Sequence, residues 1–440
     1  MKVTDEGGYI QLVLSKLMEN SDLSGQDKAL LSGICYAAMV HLQPIDRLID
    51  AYSKVPCAKL KKEVRAALRI GICQLVYLDG IKPYAAVSET VSALKKTKGA
   101  SLSGYANGVL RHLLRDLEAS ADRKQLGGVC LHEILPSWIR EKLTEAYGAE
   151  RSAWLESIFE TRKPVCIRLD AENEEEKKAL LEALQEKTAL RAGRICPDAF
   201  YLSHAQGITE WPAFLSGRLY IQDESSMTAC QALLTLLKRA SYDQPIWIVD
   251  LCGAPGGKAG MIAGRLGKGG IPSGMVYCRD LYAHRVELIL ENARRLQLEN
   301  LVGEVKDASI AYPEDKEAFE VVLLDAPCSG LGVVRTKPDI LYFRKPEDIP
   351  ELAALQQKML DAAALAVKKG GYLLYSTCTL LPEENQEQVI AFLQRHPEFA
   401  QEDLLAYLPE DCGLFQRHLT LLPEENGHEG FFISVFRKHE

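Results

Sequence analysis

The sequence predicts a multidomain protein: an all-α domain, then a small α+β domain, then a doubly wound, Rossmann-like α/β domain. Three observations predict this. Residues 1 to about 125 place apolar residues at three-and-four spacing, the stretch to about 220 mixes short strand and helix patterns, and strands and helices then alternate regularly. We expect the domains to span residues 1–126, 127–220 and 221–440.

The all-α domain is predicted from five segments with helical periodicity: "DKALLSGICYAAMVHL", "PIDRLIDAYSKV", "KKEVRAALRIGICQLVYL", "AAVSETVSALKKT" and "YANGVLRHLLRDL". The stretch Glu118–Gly128 loses this periodicity and ends in a glycine pair, which is typical of a linker.

The small α+β domain is predicted from a helix, "LPSWIREKLTEAYG", a strand, "PVCIRLD", a charged helix, "ENEEEKKALLEALQEK", and the short segments "AFYLSH" and "RLYIQD". We interpret the Glu/Lys run of the charged helix as a solvated face and assign it no function.

The α/β domain is predicted from six strand patterns separated by helical ones: "IWIVDL" (246–251), "GMVYCRD" (274–280), "LVGEV" (301–305), "EVVLLDAP" (320–327), "GGYLLYST" (370–377) and "GFFISVFR" (430–437). Such alternation is typical of a mostly parallel sheet with helices on both faces.

Bulk composition excludes several classes of protein. Of the 440 residues 47% are apolar, yet no apolar run is long enough to span a membrane and the first residues do not resemble a signal peptide, so we expect a cytoplasmic protein without a membrane partner. The twelve cysteines form no CxxC motif, so we expect free thiols and no metal.

The charge is unevenly distributed. The net charge is −8, but residues 1–128 carry 18 Lys and Arg against 13 Asp and Glu, a net charge of +5. The basic residues gather in Lys59–Arg65, Leu94–Lys98 and Arg111–Arg115, where they could contact a phosphate backbone. Solvated helix faces show the same pattern, so the charge alone leaves both interpretations open.

A glycine-rich loop follows the first strand of the α/β domain. In "DLCGAPGGKAG" (Asp250–Gly260) the glycines allow a tight turn and the close approach of a ligand. Pro255 argues against the ordinary dinucleotide-binding loop, and a purely structural turn between strand and helix is the alternative.

Acidic residues follow three successive strands of the same domain. Asp280 ends the second strand, Asp307 follows the third and Asp325 ends the fourth. Carboxyl ends of parallel strands meet at one edge, so the three side chains should surround a crevice suited to an adenine and a ribose. Each residue taken alone could also be an ordinary turn or cap residue.

Two cysteines lie beyond strand ends. Cys328 follows the fourth strand in "DAPCSGLGVVRTKPD" and Cys378 follows the fifth in "STCT". If these strands are neighbours, both thiols enter the same crevice. Two thiols beside a nucleoside-type cofactor suit methylation of cytosine at C5, in which one thiolate adds to C6 and a second group removes the C5 proton.

The motifs "DLCGAPGGK", "DAPCSGLG", "STCTLLPEEN" and the terminal "GFF" resemble those of RNA cytosine-C5 methyltransferases that use S-adenosyl-L-methionine. Ahead of them, "VRAALRIGICQLVYLDGIKPYAAVSETV" and "NGVLRHLLRD" are similar to the NusB-like RNA-binding domain of the Sun/Fmu-type 16S rRNA cytosine-C5 methyltransferases. The resemblance covers nearly the whole chain. It implies 16S rRNA as the partner, a small domain that also contacts RNA, and a monomer with no obligatory protein partner.

The resemblance also implies roles for individual residues. It makes Cys378 the nucleophile on C6 and Cys328 the thiol that assists proton removal and release. DNA cytosine methyltransferases use the cysteine of a Pro-Cys motif instead, but Thr377-Cys378 favours the RNA-type assignment. Gly253 stands where the family commonly has alanine. The implied S-adenosyl-L-methionine site, with no metal, consists of Cys252, Gly253, Ala254, Pro255, Gly256, Gly257, Lys258, Asp280, Asp307 and Asp325.

Two other function classes fit parts of the pattern. One is a non-catalytic RNA-binding factor resembling NusB with a vestigial methyltransferase half, against which the retained thiols and acidic strand ends argue. The other is a nicotinamide oxidoreductase on the same kind of sheet, which Pro255 and the lack of a proton-relay His or Tyr motif disfavour. Titration with each cofactor would distinguish these classes.

Overall fold

The computed structural model describes residues 2–19, 21–98, 100–120, 124–240, 242–408 and 418–440. The chain divides into two compact units, Met1–Arg162 with Val334–Arg344, and Lys163–Val333 with Lys345–Glu440. The predicted division into three domains stays a prediction. In the described ranges no helix is both long enough and apolar enough to cross a membrane.

The first unit is helical, which confirms the predicted all-α domain. Its apolar core includes Ile45, Leu48, Leu68 and Leu110, none of which is exposed to solvent. Its elements before residue 163 are α1 (Ile10–Glu19), α2 (Gly25–Val40), α3 (Leu42–Tyr52), α4 (Lys62–Val76), α5 (Pro83–Lys98), α6 (Ala100–Ala119), the hairpin β1 (Gln125–Leu126) and β2 (Val129–Cys130), α7 (Ser137–Tyr147) and α8 (Ala149–Glu160).

A later segment, Val334–Arg344, completes this helical unit. The side-chain amide of Gln11 donates to the carbonyl of Thr336 at 3.0 Å, and the rings of Tyr9 and Phe343 meet edge-on with centroids 6.1 Å apart. Residues that follow the fourth strand pattern of the predicted α/β domain thus pack among the N-terminal helices.

The second unit begins with a small antiparallel sheet in the order β4-β5-β3-β6. It matches the predicted strands and the charged helix, which begins at the N-cap Asn173. The elements are β3 (Val165–Leu169), α9 (Glu174–Gln185), β4 (Leu190–Ala192), β5 (Ala199–Leu202), α10 (Pro212–Leu215) and β6 (Leu219–Ile221).

An eight-stranded sheet forms the rest of the second unit, in the order β12-β14-β11-β10-β7-β8-β9 with β13 beside β14. The five neighbouring strands β11, β10, β7, β8 and β9 run parallel to one another, and β14 runs antiparallel to β11. The elements are α11 (Glu224–Ala240), β7 (Ile246–Asp250), α12 (Gly257–Ala263), β8 (Gly274–Asp280), α13 (Ala283–Arg295), β9 (Leu301–Val305), β10 (Phe319–Asp325), α14 (Ile340–Phe343, in the helical unit), α15 (Asp348–Ala366), β11 (Val367–Thr377), α16 (Gln386–Arg395), β12 (Phe399–Gln401), β13 (Leu419–Leu421) and β14 (Phe431–Lys438).

This sheet confirms the predicted Rossmann-like α/β fold. Its central strand residues 321–324 are fully buried because apolar clusters cover both faces. The chain builds outward from β7 in one direction to β9 and then returns to build β10 and β11 on the other side. Open α/β sheets bind ligands at such a reversal, outside the carboxyl ends of the strands.

Candidate active site

The carboxyl ends of the parallel strands bring most of the predicted residues to one edge of the large sheet. β10 and β11 are neighbours in register, with Asp325 opposite Ser376. The loop after β10 carries Cys328 and the loop after β11 carries Cys378, so adjacent strands deliver the two cysteines.

The sulfur atoms of Cys328 and Cys378 lie 3.3 Å apart and form no disulfide. Cys328 is buried, and Cys378 is partly exposed. The hydrogen bond with Cys378 raises the pKa of Cys328 well above its ordinary value, and burial and the nearby carboxylates of Glu384 and Asp325 act in the same direction. Cys328 therefore remains protonated at neutral pH and can donate its S–H to the sulfur of Cys378.

A buried polar network holds the two cysteine loops. Glu384 accepts hydrogen bonds from the backbone N–H of Ser329 at 2.8 Å and from its hydroxyl at 2.5 Å, and the amide of Gln356 donates to the same carboxylate at 3.0 Å. The amide of Asn385 donates to the carbonyl of Thr379 at 3.1 Å. The polar residues after "STCT" thus hold both the loop that carries Cys328 and the loop that carries Cys378.

Backbone hydrogen bonds also hold the loop that carries Cys378. The N–H of Gly332 donates to the carbonyl of Cys378 at 2.9 Å, and the N–H of Gly430 donates to the carbonyl of Gly332 at 2.8 Å. A Cβ atom on Gly332 would lie 2.8 Å from the carbonyl oxygen of Cys378, so a side chain has no room there. Three segments that are distant in the sequence therefore contact each other here through main-chain atoms.

A partly buried ion pair lies beside the thiols. The ammonium of Lys258 is 2.6 Å from one carboxylate oxygen of Asp325, and the hydroxyl of Ser376 donates to the other at 2.9 Å. Burial alone would lower the pKa of Lys258, but the Asp325 carboxylate outweighs it and the pKa is raised. Lys258 is therefore held in its charged form.

A cavity of about 200 Å³ opens next to this pair. Six of the seven predicted loop residues line it, all except Gly256, together with Asp325. Sequence reasoning missed the other lining residues, which are Tyr220, Ile221, Gln222, Ser226 and Asp250. The first four follow or end the last strand of the small sheet, where no motif marked them.

Asp250 is the informative addition. It is fully buried and borders the cavity; the backbone N–H of Cys252 approaches its carboxylate, but no side chain among the described residues hydrogen-bonds to either oxygen. Burial raises its pKa to about 7 despite the opposing effect of Lys258. Leaving a buried acceptor unpaired is costly, so this carboxylate suits a ligand that supplies a donor or a positive charge. Its position at the end of β7 was the signal that could have identified it.

Asp280 and Asp307 are placed apart from this cavity. Asp280 is buried and pairs with Arg285 at 3.1 Å. Asp307 accepts hydrogen bonds from the backbone N–H and the hydroxyl of Ser309, both at 2.8 Å, and lines a separate, smaller cavity. The structure thus gathers the loop, Asp325 and the thiols closely, with the other two carboxylates further along the same strand edge.

The residues present fit S-adenosylmethionine. Its amino acid end carries an ammonium and its sulfur a positive charge, and Asp250 and Asp325 supply carboxylates around a cavity shaped by a glycine-rich loop. In the described part of the chain no three His, Cys, Asp or Glu side chains are grouped so as to hold a metal ion.

Comparisons with known proteins agree for both halves of the chain. A family model described as 16S rRNA methyltransferase RsmB/F matches residues 235–437, and one for the NusB family matches residues 1–115. The Bacillus subtilis (strain 168) protein named "Probable ribosomal RNA small subunit methyltransferase B" is 34% identical, in an alignment that covers 100% of this chain and 96% of that protein.

Two solved structures share the fold. "Crystal Structure of PH0851" gives a TM-score of 0.78 at 23% identity and covers 96% of this chain and 92% of that one. The structure of NSun6 from Pyrococcus horikoshii with SFG gives a TM-score of 0.56 at 21% identity and covers 69% and 98%. The full-length identity to the Bacillus protein, together with the two family models, shows that the chain belongs to the family of ribosomal RNA small subunit methyltransferases B.

Proposed function

We propose that this protein methylates C5 of a specific cytosine in 16S rRNA through a covalent bond between the Cys378 sulfur and C6 of the base. The observation that carries the proposal is the 3.3 Å separation of the Cys328 and Cys378 sulfur atoms, which follow the strand ends next to the cavity lined by the glycine-rich loop and Asp325. One reactive thiol would suffice for many reactions. A pair at the ends of adjacent strands suits a reaction that needs a nucleophile and a proton acceptor at neighbouring carbons.

The chemistry follows from these positions. The Cys378 thiolate adds to C6, which makes C5 electron-rich, and a new bond then forms between C5 and a methyl group. S-adenosylmethionine, when bound, supplies that methyl group on a positively charged sulfur. Cys328 next takes the C5 proton, the electron pair restores the C5–C6 double bond, and the Cys378 thiolate leaves.

The geometry also accounts for the timing of proton transfer. Before addition, the hydrogen bond to Cys378 is the largest cause of the raised pKa of Cys328, so Cys328 acts as a donor that stabilises the Cys378 thiolate. Once Cys378 is bonded to carbon, its negative charge is gone, and the largest cause of the raised pKa of Cys328 goes with it. Cys328 then releases its proton to water, and the resulting thiolate takes the C5 proton.

The roles of the surrounding residues are part of the proposal. The loop Cys252–Lys258 and Asp250 hold the methionine part of the cofactor, Asp280 its ribose and Asp307 its adenine. Asp325, oriented by Lys258 and Ser376, faces the target base.

The helical unit and the small sheet are proposed to hold the RNA. In the helical unit Lys59, Lys61 and Lys62 are exposed and contribute to the local positive charge. Such side chains bind phosphates without reading sequence, so exchanging all three for alanine should weaken RNA binding and reduce its salt dependence. An unchanged salt slope would exclude these lysines from the RNA contact.

Transfer of a labelled methyl group to unmethylated 16S rRNA tests the function directly, with mapping of 5-methylcytosine in the product. Cys378→Ala should abolish transfer, and Cys328→Ala should leave RNA covalently attached, visible as a slow band on a denaturing gel. Cys130→Ala, in the helical unit, is the matched control and should behave as the wild type. Activity in Cys378→Ala, or no adduct in Cys328→Ala, would contradict the mechanism.

A further inference from the structure

Side chains from outside the loop hold the backbone carbonyls of the loop Cys252–Lys258. Arg285 donates to the carbonyl of Ala254 at 3.2 Å, and Asn292 donates to that of Pro255 at 3.0 Å. Both donors lie on α13. The carbonyl of Gly257 instead accepts a hydrogen bond from Arg168 at 2.9 Å, and Arg168 belongs to β3 of the small sheet. The small sheet therefore supplies one of the side-chain hydrogen bonds that hold this loop.

Arg168 is among the largest side chains that are completely buried. Its Nε and Nη2 atoms donate to the carboxylate of Asp170 at 2.6 to 2.9 Å, and Nη1 donates both to Gly257 and, at 2.5 Å, to the side-chain oxygen of Gln222. The guanidinium also lies over the ring of Tyr220, 5.0 Å from its centroid. A planar fork with several fixed donors can make these contacts together, whereas a lysine ammonium cannot.

Arg168 contacts residues that line two different sides of the cavity. Gln222 and Tyr220 line the cavity on the side of the small sheet, and Gly257 lines it on the side of the loop. A buried arginine costs desolvation free energy unless its donors are paired. Here the donors are paired with the two walls of one cavity, an arrangement that packing alone does not require.

We propose that Arg168 is a positioning residue for the cofactor loop, which makes the small antiparallel sheet part of the cofactor site and not only a surface for RNA. The inference rests on the proposed use of S-adenosylmethionine. Arg168 acts by fixing the carbonyl of Gly257 and the side chains of Gln222 and Tyr220. It does not touch the reacting atoms.

Arg168→Lys keeps the positive charge opposite Asp170 and removes the fork. The dissociation constant of S-adenosylmethionine, measured by calorimetry on the full chain, should rise about tenfold, which is the loss expected for one charge-assisted hydrogen bond. Amide hydrogen exchange of residues 253–258 should become faster, and the affinity for RNA should stay unchanged. Arg218→Lys, which alters the ion pairs with Glu172 and Glu176 on the same small domain, is the matched control and should change neither quantity.

Asp170→Asn is the second variant, because Asp170 is partly exposed and reaches the cavity only through Arg168. It should raise the dissociation constant about threefold, a loss of part of one hydrogen bond. A lower thermal midpoint with unchanged cofactor affinity in both variants would make Arg168 merely structural and overturn the inference. Failure of the wild-type protein to bind S-adenosylmethionine would instead overturn the proposed cofactor, so the two failures are distinguishable.

Discussion

Alanine is the residue that the resemblance makes common at position 253, but in this chain Cys278 and Asp250 occupy the space, so Gly253→Ala should damage the cofactor site by crowding alone. A Cβ atom at this position would lie 2.7 Å from the carboxyl carbon of Asp250, and it would overlap the sulfur of Cys278 more severely. Ordinary contacts between such atoms are about 3.5 to 4.0 Å, so the methyl group intrudes by roughly 1 Å. The backbone of Gly253 is outside the left-handed region, so crowding and not strain opposes the side chain.

The expected cost is about 1 to 3 kcal/mol of unfolding free energy, the usual range for an extra methyl group in a packed interior. Cys278 lies in β8 between β7 and β9 and is fully buried, so it has little space to yield. Displacement of the Asp250 carboxylate should also weaken binding of S-adenosylmethionine.

A double-mutant cycle with Cys278→Ala measures this crowding. Urea denaturation and calorimetric cofactor titration of the wild type, both single variants and the double variant should show that Cys278→Ala recovers roughly 1 kcal/mol of the loss. Gly104→Ala is the control, because a Cβ there meets no atom within 4 Å, and its exposed position in α6 should make the change neutral or stabilising. Strictly additive costs at positions 253 and 278 would refute the reasoning.

The remaining predictions concern titration, buried polar contacts and oxidation. The pKa of Asp250 is about 7 in the folded protein against 3.8 ordinarily, so the folded state binds the extra proton and stability should fall as pH rises from about 4 to about 7. Asp250→Asn should flatten that fall in urea titrations, and an unchanged slope would contradict it. Glu384→Ala removes the carboxylate that accepts from the N–H and the hydroxyl of Ser329 and should cost about 2 kcal/mol, whereas Glu384→Gln keeps an acceptor and should cost less; equal urea midpoints for the two variants would exclude this role. Hydrogen peroxide should convert the Cys328 and Cys378 thiols to a disulfide and water with loss of methyl transfer, detected by peptide mapping and reversed by dithiothreitol; separate oxidation of the two cysteines would argue against their proximity in solution.

Local pattern was sufficient for six strands of the large sheet and for the residues at their ends, but not for the short strands β4, β12 and β13. Apolar runs predict buried parallel strands, and a run that stops at Asp325 or Thr377 places the next residues at the carboxyl edge. The proximity of Cys328 and Cys378 required one more assumption, that β10 and β11 are neighbours. Crossover connections favour that arrangement, and the sheet has it.

Long-range packing could not be predicted in the same way. Arg168 and Gly257 are far apart in the sequence, and no periodicity indicates that an arginine of one sheet reaches a loop of another. The segment Val334–Arg344 likewise follows a strand pattern of the α/β domain but packs in the helical unit, because its aromatic residues find partners such as Tyr9 there. Asp250 was visible in its motif, yet only its burial and the lack of a hydrogen bond from any described side chain to its oxygens distinguish it from other strand-end carboxylates.

The backbone contact among Cys378, Gly332 and Gly430 has a practical consequence for capturing the complex with RNA. The N–H of Gly332 holds the backbone of Cys378, the N–H of Gly430 holds Gly332 in turn, and neither hydrogen bond uses the Cys378 sulfur. We therefore expect serine or alanine at position 378 to leave the surrounding frame in place. Crystals of such variants with an RNA fragment would capture the bound base before any covalent bond forms, with the architecture of the site unchanged.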